Sequence, residues 1–236
     1  MSRGFGSWLS HVLGKSSLEH DEVSQYGYRS YALEGEDMVL RRLLEVTRPE
    51  SDFFVDVGAH HPFRFSNTYF FYKKGWRGIN IDAMPGSMDM FRKYRPDDIN
   101  LELAISDTRD TLTYHVFDQS ALNTFSEELS AQHQAKGVAK LMQKVDIKTY
   151  SLAEVLAKNL PPGKRICFIT VDVEDLDLAV LRSNDWEKYR PQYVLMEDRL
   201  VGCGSELGGR EAVQFMHSVG YQICARTLKT LFFSAI

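Results

Sequence analysis

The chain has 236 residues, with 28 Lys and Arg against 32 Asp and Glu, for a formal net charge of −4. At 44% hydrophobic and 25% charged, it has the make-up of a globular protein and not of a disordered or fibrous one. The mild acidity offers no footprint for a polyanion such as nucleic acid. No run of 18 apolar residues is present to span a bilayer.

At roughly 150 residues per domain, this length suits one large domain or a core with additions. The first residues carry a short apolar patch of Phe5, Trp8, Leu9, Val12 and Leu13. It lacks the h-region and cleavage site of a signal peptide, so a dimer contact or a helix lying on a membrane surface is expected there. Cys167, Cys203 and Cys224 are odd in number and widely spaced, which fits packed thiols in a reducing cytoplasm and no zinc site.

Residues 18–30 read as a polar, Tyr-rich lead-in. Met38, Val39, Leu43 and Leu44 fall at helical spacing, so a helix is predicted from Glu34 to Leu44, ended by Arg48 and Pro49. The apolar run from Phe53 to Gly58 has the look of a buried parallel strand. A helix from Asn67 to Lys74, a strand from Arg77 to Asp82, a helix from Pro85 to Tyr94 and a strand from Ile99 to Ser106 follow. Further strands are expected at Thr111 to Phe117 and Val145 to Tyr150, with a weakly periodic helix from Ser126 to Met142 between them. Ser151 and Glu154 form a capping box for a helix reaching Leu160. The apolar stretch from Arg165 to Val173 is the strongest strand signal, followed by a helix from Leu176 to Leu181 and a strand from Tyr193 to Glu197. A helix from Arg210 to Val219 and strands at Tyr221 to Ala225 and Thr230 to Ser234 close the chain. The last two strands are separated by too few residues for a crossover, so they should be antiparallel. The alternation argues an open α/β sheet with helices on both faces. By analogy this resembles the class I methyltransferase (Rossmann-like) fold, a seven-stranded, mostly parallel sheet with a C-terminal antiparallel hairpin.

Ligands of such sheets sit at the carboxyl ends of the strands. Asp56, Gly58, Ala59, His60 and His61 occupy the turn after the first strand. Gly58 allows a sharp turn and close backbone approach, although an ordinary strand-to-helix turn would read the same way. Two of the three glycines of a G-x-G-x-x-G fingerprint are absent, which disfavours a pyrophosphate cofactor and hence a nicotinamide oxidoreductase. Asp82 ends the second strand, where a carboxylate can accept ribose hydroxyls or simply cap a turn. Ser106 ends the third strand and either flanks a base or caps its turn. Asp172 and Asp175 follow the most apolar strand, and Glu197 and Asp198 follow the next. Neighbouring strand ends put Asp172, Glu197 and Asp198 within reach of one hard ion such as Mg²⁺. The alternative is that they line a pocket with no ion.

Several runs are similar to the FkbM family of S-adenosylmethionine-dependent methyltransferases. They are Ser30 to Asp37 (SYALEGED), Phe54 to Pro62 (FVDVGAHHP), Trp76 to Ala83 (WRGINIDA), Ala104 to Ser106, Val171 to Glu174, Ser183 to Trp186 and Tyr189 to Pro191. They stand in family order over roughly residues 28–200. The family often has Gln where Leu33 stands and Gly where Asp175 stands. The resemblance implies O-methylation of a sugar, a glycosylated natural product or a surface glycan, with S-adenosylmethionine as donor. Carried over, Asp56, Gly58 and Ala59 would line the methionine part of the cofactor, Asp82 would take the ribose, and Ala83 would also belong to the cofactor site. Ser106 would lie near the adenine, and Glu36 would close over the cofactor.

A general base is expected among His60, His61, Asp172 and Asp175, with His115 a weaker candidate. Residues 1–50 are expected to form a lead-in whose helix covers the cofactor, and residues 51–236 the methyltransferase domain. An acceptor-side insertion is expected at 107–150, where Asn123, Thr124 and Phe125 offer an aromatic and polar mix. The expected partner is a small-molecule or glycan acceptor, with a homo-oligomer and a cytoplasmic location. The competing reading is a non-catalytic S-adenosylmethionine-binding partner protein.

Overall fold

A computed structural model describes residues 27–174, 176–198 and 210–236, and residues 31–236 form one unit. The apolar patch from Phe5 to Leu13, Asp175 and Cys203 lie outside the described residues. The chain runs α1 (Glu36–Thr47), β1 (Phe53–Val57), α2 (Tyr69–Lys73), β2 (Arg77–Asp82), α3 (Met88–Tyr94), β3 (Ile99–Glu102), β4 (Ala104–Ile105) and β5 (Thr111–Phe117). A short 3₁₀ turn (Ser120–Leu122) leads to α4 (Glu127–Lys136), β6 (Leu141–Tyr150), α5 (Leu152–Asn159), β7 (Phe168–Val171) and α6 (Asp177–Arg182). Last come β8 (Tyr193–Glu197), α7 (Glu211–Ser218), β9 (Tyr221–Arg226) and β10 (Thr230–Ala235).

Seven strands form the main sheet in the order β3-β2-β1-β7-β8-β10-β9. β3, β2, β1, β7 and β8 pair in parallel, whereas β10 runs antiparallel to both β8 and β9. All five residues of β1 are buried, as a strand covered on both faces requires. Side-chain alternation divides the core. Val55, Val57, Ile79, Ile81, Ile169 and Val171 pack with Leu152 and Leu156 of α5, Val180 of α6 and Val213 of α7. Phe54, Phe168, Leu195 and Phe232 face the other way, against Leu40 and Leu44 of α1 and Phe70 and Phe71 of α2. The strand order, with its reversed terminal hairpin, defines the class I methyltransferase fold.

Apart from ends shifted by up to three residues, three elements depart from the sequence expectation. The strand expected from Ile99 to Ser106 breaks at Leu103, whose N–H donates to the Asp82 carbonyl at 3.0 Å as the last rung of the ladder with β2. Ala104 and Ile105 leave the main sheet and pair with β6. The helix expected from Ser126 to Met142 stops at Lys136, where Gly137 takes φ +63° and caps it. Leu141 and Met142 instead begin β6, which pairs antiparallel with β5. Strands β5 and β6 of the 107–150 stretch, with Ala104 and Ile105 of β4, thus build a second sheet, ordered β4-β6-β5. No described helix is long and apolar enough to cross a membrane.

Candidate active site

The parallel strands end together, and their turns are pressed into contact. Gly58 follows β1 with φ +87°, and a Cβ built there would lie 1.7 Å from the Asp172 carbonyl oxygen. Only glycine satisfies both the left-handed backbone and that approach. Gly58 and Ala59 N–H donate to the Ile81 carbonyl at 2.9 and 3.0 Å, and Asp172 N–H donates to the Val57 carbonyl at 2.9 Å. The turn after β1 is therefore stitched to β2 on one side and β7 on the other.

Asp82 organises the next layer. Its Oδ2 accepts from His60 N–H and its Oδ1 from Met84 N–H, both at 2.8 Å. Each oxygen keeps a second lone-pair direction for a ligand. Burial pushes the Asp82 pKa up, against the pull of those two backbone donors. His60 sits at φ +52°, an uncommon conformation for a side chain with a Cβ. Its Nε2 is buried, with no hydrogen-bond partner among the described residues. Burial lowers its pKa, opposed by the Asp82 charge, so the ring is neutral near pH 7.

A cavity of about 560 Å³ opens over these turns, within the range of small-molecule and cofactor sites. Of the residues singled out from sequence, Glu36, Gly58, His60, Asp82, Ala83, Asp172 and Glu197 line it, with Asn123 and Phe125 of the expected insertion. Glu36 is almost fully buried, and its carboxylate accepts from Thr230 Oγ1 at 3.1 Å and from Glu34 N–H at 2.8 Å. Carboxylate oxygens of Asp172, Glu174 and Glu197 all lie within 4.8 Å of one another. Glu174 holds φ +56°, and its carbonyl accepts from Thr124 Oγ1 at 3.2 Å.

Other candidates sit elsewhere. Asp56 is buried beneath the cavity, where its Oδ2 accepts from Thr68 Oγ1 at 2.7 Å. Burial pushes its pKa up to about 6, with Thr68 and Arg95 pulling the other way. The side chain lies on the far face because Val55 and Val57 take the near one. Ala59 packs with Met88 and Phe91. Ser106 is buried, and its N–H donates to the Tyr150 carbonyl at 3.0 Å. His61 Nδ1 accepts from Phe63 and Arg64 N–H at 3.3 and 3.1 Å, so this ring shapes the loop. Asp198 is nine-tenths buried and forms an ion pair with Arg210, and it is not part of the carboxylate group formed by Asp172, Glu174 and Glu197. His115 bonds Glu127 Oε2 at 2.8 Å.

Sequence reasoning did not single out Tyr114, Lys229, Thr230 and Phe65, which also line the cavity. Lys229 arrives from the β9–β10 turn and Thr230 from the start of β10, where no local signal marks them. Tyr114 and Asn123 come from the second sheet and its 3₁₀ turn. Asn123 Nδ2 lies 3.2 Å from Met84 Sδ, two residues past Asp82, and the Tyr114 ring packs 4.6 Å from that of Phe125.

Among the described lining residues, five carboxylates (Glu36, Asp82, Asp172, Glu174 and Glu197) face one lysine, Lys229. That charge balance repels a pyrophosphate and favours a ligand carrying positive charge. Strand order, the Gly58 turn and the carboxylate at the end of β2 together define a class I methyltransferase. The chain belongs to the FkbM family: the methyltransferase FkbM domain matches residues 56–223. The family implies S-adenosylmethionine as the methyl donor. A solved structure, a TehB-like SAM-dependent methyltransferase from Corynebacterium glutamicum, is similar at 11% identity over 94% of this chain and 97% of that one, with a TM-score of 0.42. No curated protein matches the chain.

Proposed function

We infer that the protein transfers the methyl group of S-adenosylmethionine to a hydroxyl of a sugar, either in a glycan or on a glycosylated natural product. The observation that carries this reading is the Asp82 carboxylate, which lines the cavity with both oxygens oriented by backbone N–H groups. It is poised to accept two ribose hydroxyls. Gly58 would let the methionine part lie against the backbone, and the sulfonium and ammonium charges suit the acidic lining.

When bound, S-adenosylmethionine supplies an electrophilic methyl group. The chain's own work is to hold a hydroxyl oxygen in line with it and to exclude water, which accounts for most of the acceleration. His60 is the proposed base, because its neutral ring presents a buried Nε2 without a protein partner. With that donor bound, His60 Nε2 would take the proton of the acceptor hydroxyl as its oxygen took the methyl group. Asp172 is proposed to orient the acceptor as a hydrogen-bond acceptor. The Tyr114, Asn123 and Phe125 wall is proposed to enclose the nucleoside end.

Calorimetry with S-adenosylhomocysteine tests the cofactor half: micromolar binding is expected, and no binding by the intact protein would end the reading. Methyl transfer across a panel of sugars, glycans and glycosides tests the acceptor half. Binding without transfer to any member would favour a non-catalytic partner protein.

A second reading adds a divalent ion. The oxygens of Asp172, Glu174 and Glu197 are the hard donors that Mg²⁺ takes, and a bound ion would make a coordinated hydroxyl more acidic. Full activity in EDTA would remove the ion from the mechanism.

A further inference from the structure

A chain of aromatic rings leaves the cavity wall and runs onto the surface. Phe65, which lines the cavity, stacks on His60 with ring centroids 6.5 Å apart and planes within 15°. His60 neighbours His61 at 6.4 Å, and His61 meets Phe63 edge-on at 4.5 Å. Phe63 then meets Tyr94 at 5.5 Å and Tyr69 at 5.7 Å. Phe63, Phe65 and Tyr94 are 36%, 42% and 44% exposed. Exposed aromatics placed singly need no explanation, whereas a connected set does.

The segment that presents them is held firmly. His60 and Phe65 both have positive φ, +52° and +56°, a conformation that costs a residue with a Cβ and collects at functional sites. The buried Arg95 donates to the Pro62 carbonyl, Ser66 N–H donates to the Tyr31 carbonyl, and Asn67 Nδ2 donates to Thr170 Oγ1. A fixed aromatic surface loses little entropy when it binds. Its chemistry is mixed: the Arg64 guanidinium sits 4.4 Å over Phe65, and the Lys93 ammonium 5.1 Å over Tyr94. A purely apolar partner would strand those polar groups. A sugar chain presents C–H faces to the rings and hydroxyls to the polar edge.

Resting on the reading of the cavity as a sugar methyltransferase site, we propose that this ridge is a second saccharide subsite. The acceptor is then an oligosaccharide: its terminal residue occupies the cavity beside His60 and Phe65, and the following residues lie across Phe63 and Tyr94. A free monosaccharide engages only the cavity.

The test uses the full chain on a glycan array of neutral saccharides, from single residues to hexasaccharides, with and without S-adenosylhomocysteine. Retention of oligosaccharides at least tenfold above single residues is expected. In the Phe63→Ala, Tyr94→Ala double variant that retention falls at least tenfold, while calorimetric affinity for S-adenosylhomocysteine stays within twofold. If the double variant melts early, Phe63→Leu alone keeps apolar contact with Tyr69 and is expected to show the same loss. No retained saccharide, equal retention of single residues, or retention untouched by the variants overturns the proposal. So does self-association, seen by sedimentation, that the double variant abolishes without altering saccharide retention. Failure of nucleoside binding would sink the cofactor reading by a separate measurement.

Discussion

The backbone N–H of His60 and the carboxylate of Asp82 are joined by a 2.8 Å hydrogen bond. They lie 22 residues apart in the chain, and the bond makes the loop after β1 depend on the last residue of β2. Asp82→Ala therefore removes both the proposed ribose contact and the acceptor for two loop N–H groups. A hydrogen bond to a charged group contributes about 1.5–3 kcal/mol, so affinity for S-adenosylhomocysteine is expected to fall roughly 10- to 150-fold. Asp82→Asn keeps one acceptor oxygen and is expected to lose less. Calorimetry on both variants decides this, and unchanged affinity in Asp82→Ala would remove Asp82 from the cofactor site.

Gly58 and Gly163 both have positive φ, but nothing lies within 4 Å of a Cβ at Gly163. Gly163→Ala is expected to cost only the left-handed backbone penalty, about 1–2 kcal/mol. Gly58→Ala adds an overlap with the Asp172 carbonyl and is expected to cost more than about 3 kcal/mol, with loss of nucleoside binding. Urea unfolding of the two variants side by side checks the difference. Equal costs would show that the β1 and β7 turns can separate freely.

Asp56 and Arg95 meet beneath the cavity through Thr68, whose Oγ1 donates to Asp56 and accepts from Arg95 Nη1 at 2.9 Å. Burial raises the Asp56 pKa from 3.8 to about 6. Between those values the native state keeps a proton that the unfolded chain has released, so stability falls as pH rises through that window. The loss approaches about 3 kcal/mol by pH 7. Asp56→Asn retains an acceptor for Thr68 and is expected to abolish this share of the slope, measured as wild type minus variant in urea at pH 4.5 and 7.5. An unchanged slope would show that Asp56 titrates normally.

Arg95 is fully buried and donates from Nε to Asp98 Oδ2 at 2.8 Å. Arg95→Met leaves the Asp98 carboxylate buried without its cation, which typically costs about 3–5 kcal/mol. Adding Asp98→Asn is expected to recover part of that cost in a double-mutant cycle. Strict additivity of the two single changes would contradict the pairing.

Thr124, fully buried, donates its hydroxyl to the Glu174 carbonyl across 50 residues. Thr124→Val keeps the shape and strands a part-buried carbonyl, so a loss of about 1–3 kcal/mol is expected, with Thr124→Ser closer to wild type. Thermal unfolding of the pair checks it, and indistinguishable variants would mean that the contact contributes nothing.

Much of the architecture was legible along the chain, because burial on both faces leaves continuous apolar runs. The strands at Arg77–Asp82, Thr111–Phe117 and Tyr193–Glu197 fall at their predicted bounds, and the Ser151 and Glu154 capping box forms. Local chemistry also placed Gly58, Asp82 and Asp172 at strand ends, where an open parallel sheet collects its ligands. The helix expected over 126–142 ends at Lys136, since the left-handed Gly137 and the cross-strand pairing of Leu141 with Phe117 are not visible in helical periodicity.

The amino-acid sequence by itself determined the order of strands and helices, the carboxylate-rich strand ends and the family runs, because these depend on neighbours within a few residues. Tertiary structure decided which of those groups face one cavity. Alternation along β1 buries Asp56 on the far face, an ion pair with Arg210 occupies Asp198, and pairing of β4 with β6 removes Ser106 from the lining. It also brought Lys229, Thr230 and Tyr114 to the site from distant elements. A side chain's direction depends on strand parity, and its partners on chain segments far away in sequence, so that selection is made only when the sheet closes.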